Sequence, residues 1–243
     1  MPRKASARYG FLTLVLVIPG CSYKVDTPIA PSYDVYSSYT DKVPGRWAVL
    51  VDGEQLKGDF KVSGYTCSAH SYPLDASLAF NTSVNKTLEN VLENVEDVRS
   101  PLSRDQLVMG GYSGLIRVKG EEIDVDLDVV PGFWTAGMKA EVQMVAALAV
   151  DGQDGRLLGG RIASDADDDA EASGACSGGA DAISKATEKA LRRLMEDLGE
   201  KVSNEPRLRQ LNVARTPQPY VQPVLPAVAV PSTGGSDPYA IDP

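Results

Sequence analysis

Between residues 122 and 130 the chain alternates one residue at a time, with Ile123, Val125, Leu127 and Val129 set against Glu122, Asp124, Asp126 and Asp128. A period of two places the first set on one face of a β-strand and the acids on the other. Such a strand can be sealed on one side only, so the chain must build a sheet with one wet acidic face and one apolar face that other elements cover. Strands at 114–119, 139–150 and 156–163 read in the same way, and Gln153-Asp154-Gly155 turns the last two into a hairpin. Together these segments predict an antiparallel meander.

Two helical stripes supply the cover. Leu78, Val84, Leu88, Val91, Leu92 and Val95 recur at helical spacing over about 75–98, and Arg99-Ser100-Pro101 closes that run. Ile183, Ala186, Ala190, Leu191, Leu194, Leu198 and Val202 form a second stripe, with Asp181 placed as its N-cap. Ahead of both, Arg46-Trp47-Ala48-Val49-Leu50-Val51 and a segment at 60–67 flank the turn dipeptide Asp52-Gly53, which predicts a hairpin. Residues 164–179, acidic and small, read as a loop. The expected fold class is α+β, a mostly antiparallel sheet with two helices packed on one face.

The 16 prolines cluster after Cys21 and again after Arg215, which leaves about 43–212 as the core-forming domain. Residues 21–42, rich in Ser, Tyr and Pro, read as a flexible tether, and 213–243 as a disordered proline-rich tail. The first 20 residues have three parts: a basic start (Arg3, Lys4, Arg8), an apolar run from Phe11 to Ile18, and Pro19-Gly20 before Cys21. That is the layout of a secretory signal, with an apolar run far short of the roughly 20 residues a membrane-spanning helix needs.

Ile18-Pro19-Gly20-Cys21 resembles the lipobox of bacterial lipoproteins, with an aliphatic residue at −3 and a small one at −1; Pro19 replaces the more usual Ala or Ser at −2. The resemblance implies cleavage after Gly20 and diacylation of the Cys21 sulfur, and two or more acyl chains anchor stably where one does not. Ser22 stands where an aspartate would resemble an inner-membrane retention signal, so the expected location is the outer membrane, facing the periplasm. The order of signal, lipobox, strand pair, helix, long strands and C-terminal helix resembles the YajG family of outer-membrane lipoproteins over about residues 1–212. That likeness is architectural and implies location and fold rather than an activity.

Loss of residues 1–20 removes three basic residues and no acid, which takes the formal charge from −9 to −12. Basic residues are interleaved with acids throughout, which argues against nucleic acid as a partner. Cys67 and Cys176 remain once Cys21 is lipidated, and in an oxidising periplasm the pair predicts a disulfide. The lone histidine, His70, can be drawn with a serine and Asp75 as a hydrolase triad, but no Gly-x-Ser-x-Gly elbow accompanies it; a hydrogen-bonded loop histidine is the commoner outcome. Asp165, Asp167 and Asp169 match the first half of a calcium loop, while Ala170 and Cys176 stand where that loop needs Gly and Glu. The expectation is therefore no catalytic residue, no metal site and no cofactor. The chain reads as a lipid-anchored binding or assembly component of the cell envelope with unidentified protein partners. Two other classes stay open: an accessory lipoprotein of a transport or secretion system that binds lipid or glycan, and an envelope hydrolase dependent on His70.

Overall fold

The computed structural model describes residues 21–213 apart from 65, 133–135 and 172–175. The expected signal segment with its cleavage after Gly20, and the tail expected to be disordered beyond residue 213, lie outside the described residues. Seven strands and four helices follow in order: β1 (Val43–Asp52), β2 (Lys57–Phe60), β3 (Tyr72–Asp75), α1 (Ser77–Val91), β4 (Leu92–Asp97), α2 (Arg104–Met109), β5 (Gly114–Val130), β6 (Gly137–Gly152), β7 (Arg156–Glu171), α3 (Gly178–Ser203) and α4 (Pro206–Val213). The class is α+β. The main sheet is mixed, in the order β4-β1-β5-β6-β7, and β2 and β3 form a separate antiparallel pair.

The meander is where the alternation placed it, as β5, β6 and β7 in antiparallel register. The two strands expected at 114–119 and 122–130 are one strand, interrupted by a register shift at Gly120/Glu122. Gly120 is needed there because a Cβ would stand 2.5 Å from the Cγ of fully buried Leu56. The expected acidic loop at 164–179 is strand as far as Glu171, paired with β6 along its length.

Three sequence expectations are corrected by long-range pairing. The strand at 46–51 does not form a hairpin with its neighbour; β1 lies between β4 and β5, parallel to both, and β2 pairs with β3 instead. Parallel neighbours need a crossover, and α1 provides the one between β1 and β4. The helix expected to reach Val98 stops at Val91, because Leu92 is extended (φ −106°, ψ 149°) and residues 92–97 add to the free edge of β1 with Val95 beside Trp47. Tertiary pairing here overrides a helical pattern. The helix of the second stripe, α3, starts at Gly178, so Asp181 sits in its first turn rather than at its cap.

The core lies between the sheet and the pair α1 and α3. All seven residues of the second stripe are buried, facing Met138, Val142, Met144 and Leu148 of β6 and their neighbours. Among the described residues the other face of the sheet is covered at one end only, by α2, whose Ser103/Gln106 capping box is complete and whose Leu107 packs on Ala48, Tyr112 and Leu115. Asp124, Asp126, Asp128, Glu141, Asp165, Asp167 and Asp169 stay exposed on the uncovered part.

A 16-residue edge strand such as β7 invites pairing with another chain. Four of its carbonyls are taken by cations: Lys189 Nζ donates to Asp167 O (3.2 Å), Arg193 to Asp165 O, Lys201 Nζ to Arg161 O (3.2 Å) and Arg207 to Leu157 O (3.4 Å). The carbonyls lie two or four residues apart, and Lys189, Arg193 and Lys201 are about one and two turns apart on α3. Lys189 also pairs with Asp168 at 2.6 Å, which holds that carboxyl below the usual range.

Residues 21–42 are not a free tether. Val25, Ala30 and Ser32 are buried, and the segment runs along the seam between α1 and α3. Ser184 Oγ donates to Asp26 O (2.6 Å), Ala30 N–H to Ser83 Oγ (2.9 Å), Ser32 N–H to Thr87 Oγ1 (3.0 Å), and Asn90 and Asn204 each to a tyrosine carbonyl (2.9 Å). The ten residue steps from Asp26 to Tyr36 follow α3 from Ser184 to Asn204, a helical length of about 30 Å that only an extended chain of about 3.1 Å per residue covers. Pro28 and Pro31 favour that extended form and leave fewer backbone donors to satisfy.

Two outcomes are expected. Replacing Lys189, Arg193 and Lys201 together by Ala should expose the β7 edge and give concentration-dependent oligomers on size-exclusion chromatography; a monomer unchanged at millimolar concentration would remove the guarding role. Ser83→Ala with Thr87→Ala should cost about 1–3 kcal/mol and speed hydrogen exchange at the Ala30 and Ser32 amides, which amide exchange would resolve.

Candidate functional site: the Cys21 end and its groove

Cys21 is exposed and carries a free thiol. Its position is set by the chain that follows, which lies beside β3: Ser71 N–H donates to Cys21 O (3.3 Å), Tyr23 N–H to Ser71 O (2.9 Å) and Val25 N–H to Pro73 O (3.1 Å). Cys21 is thus joined to the domain with no slack. The Tyr23 ring stands between His70 (centroids 5.3 Å apart) and Tyr72 (6.0 Å), and buried Tyr72 donates its hydroxyl to Cys176 O at 2.7 Å. Burial pushes the Tyr72 phenol above its ordinary pKa.

Cys67 and Cys176 form a disulfide with Cα atoms 5.8 Å apart, tying the loop before β3 to the start of α3. Both cysteines are in the left-handed region (φ 67° and 70°), a conformation that costs a non-glycine residue about 1–2 kcal/mol and that the cross-link holds in place. At the same corner Gly179 meets the Tyr72 ring so closely that a Cβ would lie 2.7 Å from it.

The residues considered for catalysis and metal binding are used otherwise. His70 donates its backbone N–H to Cys67 O (3.0 Å), and its ring packs on Tyr23 with Nδ1 buried and without a hydrogen-bond partner. The Asp75 carboxylate accepts from Ser77 N–H (3.0 Å) and Oγ (2.5 Å), and these bonds hold it below its ordinary pKa while it fixes the start of α1. Asp165, Asp167 and Asp169 are spread along strand β7 rather than folded round a point, with Asp167 3.4 Å from Lys139. Among the described residues no three His, Cys, Asp or Glu side chains are grouped to hold a metal.

A groove of about 830 Å³ lies beside the Cys21 strand, lined by residues 24–27 and 29, β2, β3 and the first turn of α1. Val25, Pro73, Leu74 and Ala79 make its apolar floor, and Ile29 (48 % exposed) and Leu78 (75 %) stand in its wall. Lys24, Asp26, Lys57 and Asp75 ring it. Residues 26–36 occupy the seam between α1 and α3, and this groove lies next to the small strand pair. No periodic signal in the sequence marks it, because its lining comes from four separate segments. Among the described residues no helix is long and apolar enough to cross a membrane.

No family model matches the chain and no curated protein matches it. Several solved structures are similar in part. One is a Xanthomonas campestris protein described by the family model DUF330 (8 % identity, 80 % of this chain and 99 % of that one, TM-score 0.43). A putative neuraminyllactose-binding hemagglutinin homolog from Helicobacter pylori shares 12 % identity over 76 % and 98 % of the two chains (TM-score 0.46). A minor lipoprotein from Acinetobacter baumannii shares 8 % over 65 % and 90 % (TM-score 0.34). At these scores the neighbours assign the chain neither a family nor an activity.

Removing the cross-link with Cys67→Ser and Cys176→Ser should lower unfolding free energy by about 2–5 kcal/mol, since the bridge spans 109 residues. Urea titration of the double variant against wild type measures this, and equal midpoints would show that the corner is held by packing alone.

Proposed function

We propose that the chain is an exported lipoprotein, cleaved after Gly20, diacylated on Cys21 and held at the outer membrane facing the periplasm, where it acts as a non-catalytic binding or assembly component of the envelope. The observation that carries this reading is the coincidence of two independent features at one residue. Ile18-Pro19-Gly20-Cys21 ends a secretory-type signal, and Cys21 is an exposed free thiol whose carbonyl accepts from Ser71 N–H. The Cys67–Cys176 disulfide supports an oxidising compartment, and a Cys21 thiol outside that bridge is available for thioether formation.

The protein partner and the YajG likeness belong to this proposal as well. A non-catalytic role is favoured by how His70 and Asp75 are spent, on packing and on starting α1, so the hydrolase reading loses its two named residues. The groove beside Cys21 favours a second reading, an accessory lipoprotein of an envelope transport or secretion system that takes a lipid rather than a glycan, because its floor is apolar.

The anchor is tested by expressing wild type and Cys21→Ala in a bacterial host with acyl labelling, intact mass and separation of inner from outer membranes. The expected result is a wild type that begins at residue 21, carries lipid and fractionates with the outer membrane, and a variant that keeps residues 1–20. A soluble or unprocessed wild type would overturn the lipoprotein reading.

A further inference from the structure

Apolar surface left open next to an attachment point calls for an occupant. The groove beside Cys21 falls within the roughly 300–1,000 Å³ typical of small-molecule sites. Its floor is buried side chain, but Ile29 and Leu78 present much of their surface to solvent, an arrangement that water does not stabilise. Location narrows the choice. Lys24 is three residues from Cys21 along an extended strand, about 10 Å away, and the Tyr23 and Val25 hydrogen bonds to β3 keep that distance fixed. If Cys21 carries lipid, the groove is held at the membrane end of the domain.

The rim narrows it again. Although the mature chain carries a net charge of −12, the four charged groups here balance: Lys24 and Lys57 against Asp26 and Asp75. All four are exposed. Lys57 is 3.0 Å from Glu54, and Asp75 retains acceptor capacity beyond its two bonds from Ser77. A purely anionic headgroup would meet two carboxylates and a purely cationic one two ammonium groups. A headgroup bearing both a phosphate and an ammonium would find an opposite charge for each.

We infer that the groove binds one acyl chain of a phospholipid from the membrane in which Cys21 is anchored, with a zwitterionic headgroup at the ring of Lys24, Asp26, Lys57 and Asp75. This rests on the anchor proposed above. It makes the domain a device that holds a single bilayer lipid partly withdrawn at the membrane surface, a role that docking by protein surface alone does not require.

The experiment uses the full chain purified from membranes. A phosphatidylethanolamine with one fluorescent acyl chain is titrated into it, with phosphatidylglycerol of the same tail as comparison, and intact mass reports acylation of every sample. Wild type should bind phosphatidylethanolamine saturably at one site and about tenfold more tightly than phosphatidylglycerol. Ile29→Glu with Leu78→Glu, both at exposed positions, should weaken binding at least tenfold with the melting temperature kept, and Lys24→Glu should weaken it severalfold. Unchanged binding by the double variant overturns the inference. So does binding that appears only in Cys21→Ser protein, which would show the chain's own acyl groups filling the groove. Equal affinity for the two lipids overturns the headgroup assignment. An acylated wild type that fails to bind removes the groove's ligand and leaves the anchor; an unacylated wild type that binds removes the anchor and leaves the ligand.

Discussion

The apolar face of β5, β6 and β7 has to be kept from water, and α3 is the element that does most of it. Its stripe from Ile183 to Val202 is buried against Met138, Val142, Met144 and Leu148, while Ser164 is accommodated by donating to Ala190 O at 2.9 Å. Burial of this kind, at about 25 cal/mol per Å² of apolar surface, is the main favourable contribution to the fold. The same helix, seen from its flank, solves a second problem. Lys189, Arg193 and Lys201 project over the outer edge of β7 and occupy carbonyls that would otherwise template another strand. Their neighbour Arg192 bonds Glu188 instead, at 2.6 Å.

Packing two helices side by side on a sheet leaves a seam between them, and residues 26–36 fill it. A polar backbone can be laid there because Ser83, Thr87 and Asn90 of α1 and Ser184 and Asn204 of α3 bond to its backbone groups. The consequence runs back to Cys21. The segment expected to be a slack tether is part of the domain, and Cys21 itself is joined to Ser71. The disulfide corner, the Tyr23–Tyr72 stack and the groove all gather at this end, so Cys21 stands beside a defined surface rather than a moving one.

How much of this was legible can be judged element by element. The alternation at 122–130 and the stripe at 183–202 were read correctly because each is a long run whose period directly reports one buried face. The disulfide followed from an even remainder of cysteines. The hairpin expected at 46–67 failed because Asp52-Gly53 is a turn signal that says nothing about which strand pairs with which. The helix expected to reach Val98 failed because Val95 suits a helix stripe and a strand edge equally well, and Trp47 across the sheet decided between them. The tether was misread since Pro28, Pro31 and the tyrosines look alike in a free linker and in an extended segment laid along a seam; the clue was the polar trio Ser83, Thr87 and Asn90 at helical spacing on α1, which composition does not weigh.

The sequence by itself determined the α+β class, the two faces of the meander and the helix that seals it. These are local properties, written in periods of two and 3.6 and in short motifs, and each needs only neighbouring residues to be read. Tertiary structure alone decided the mixed order β4-β1-β5-β6-β7, the burial of residues 26–36, the cationic guard on β7 and the groove beside Cys21. Each of these joins segments 20 to more than 100 residues apart, and such contacts depend on which surfaces remain unsatisfied once the main sheet and helices have packed, a quantity that no window of sequence contains.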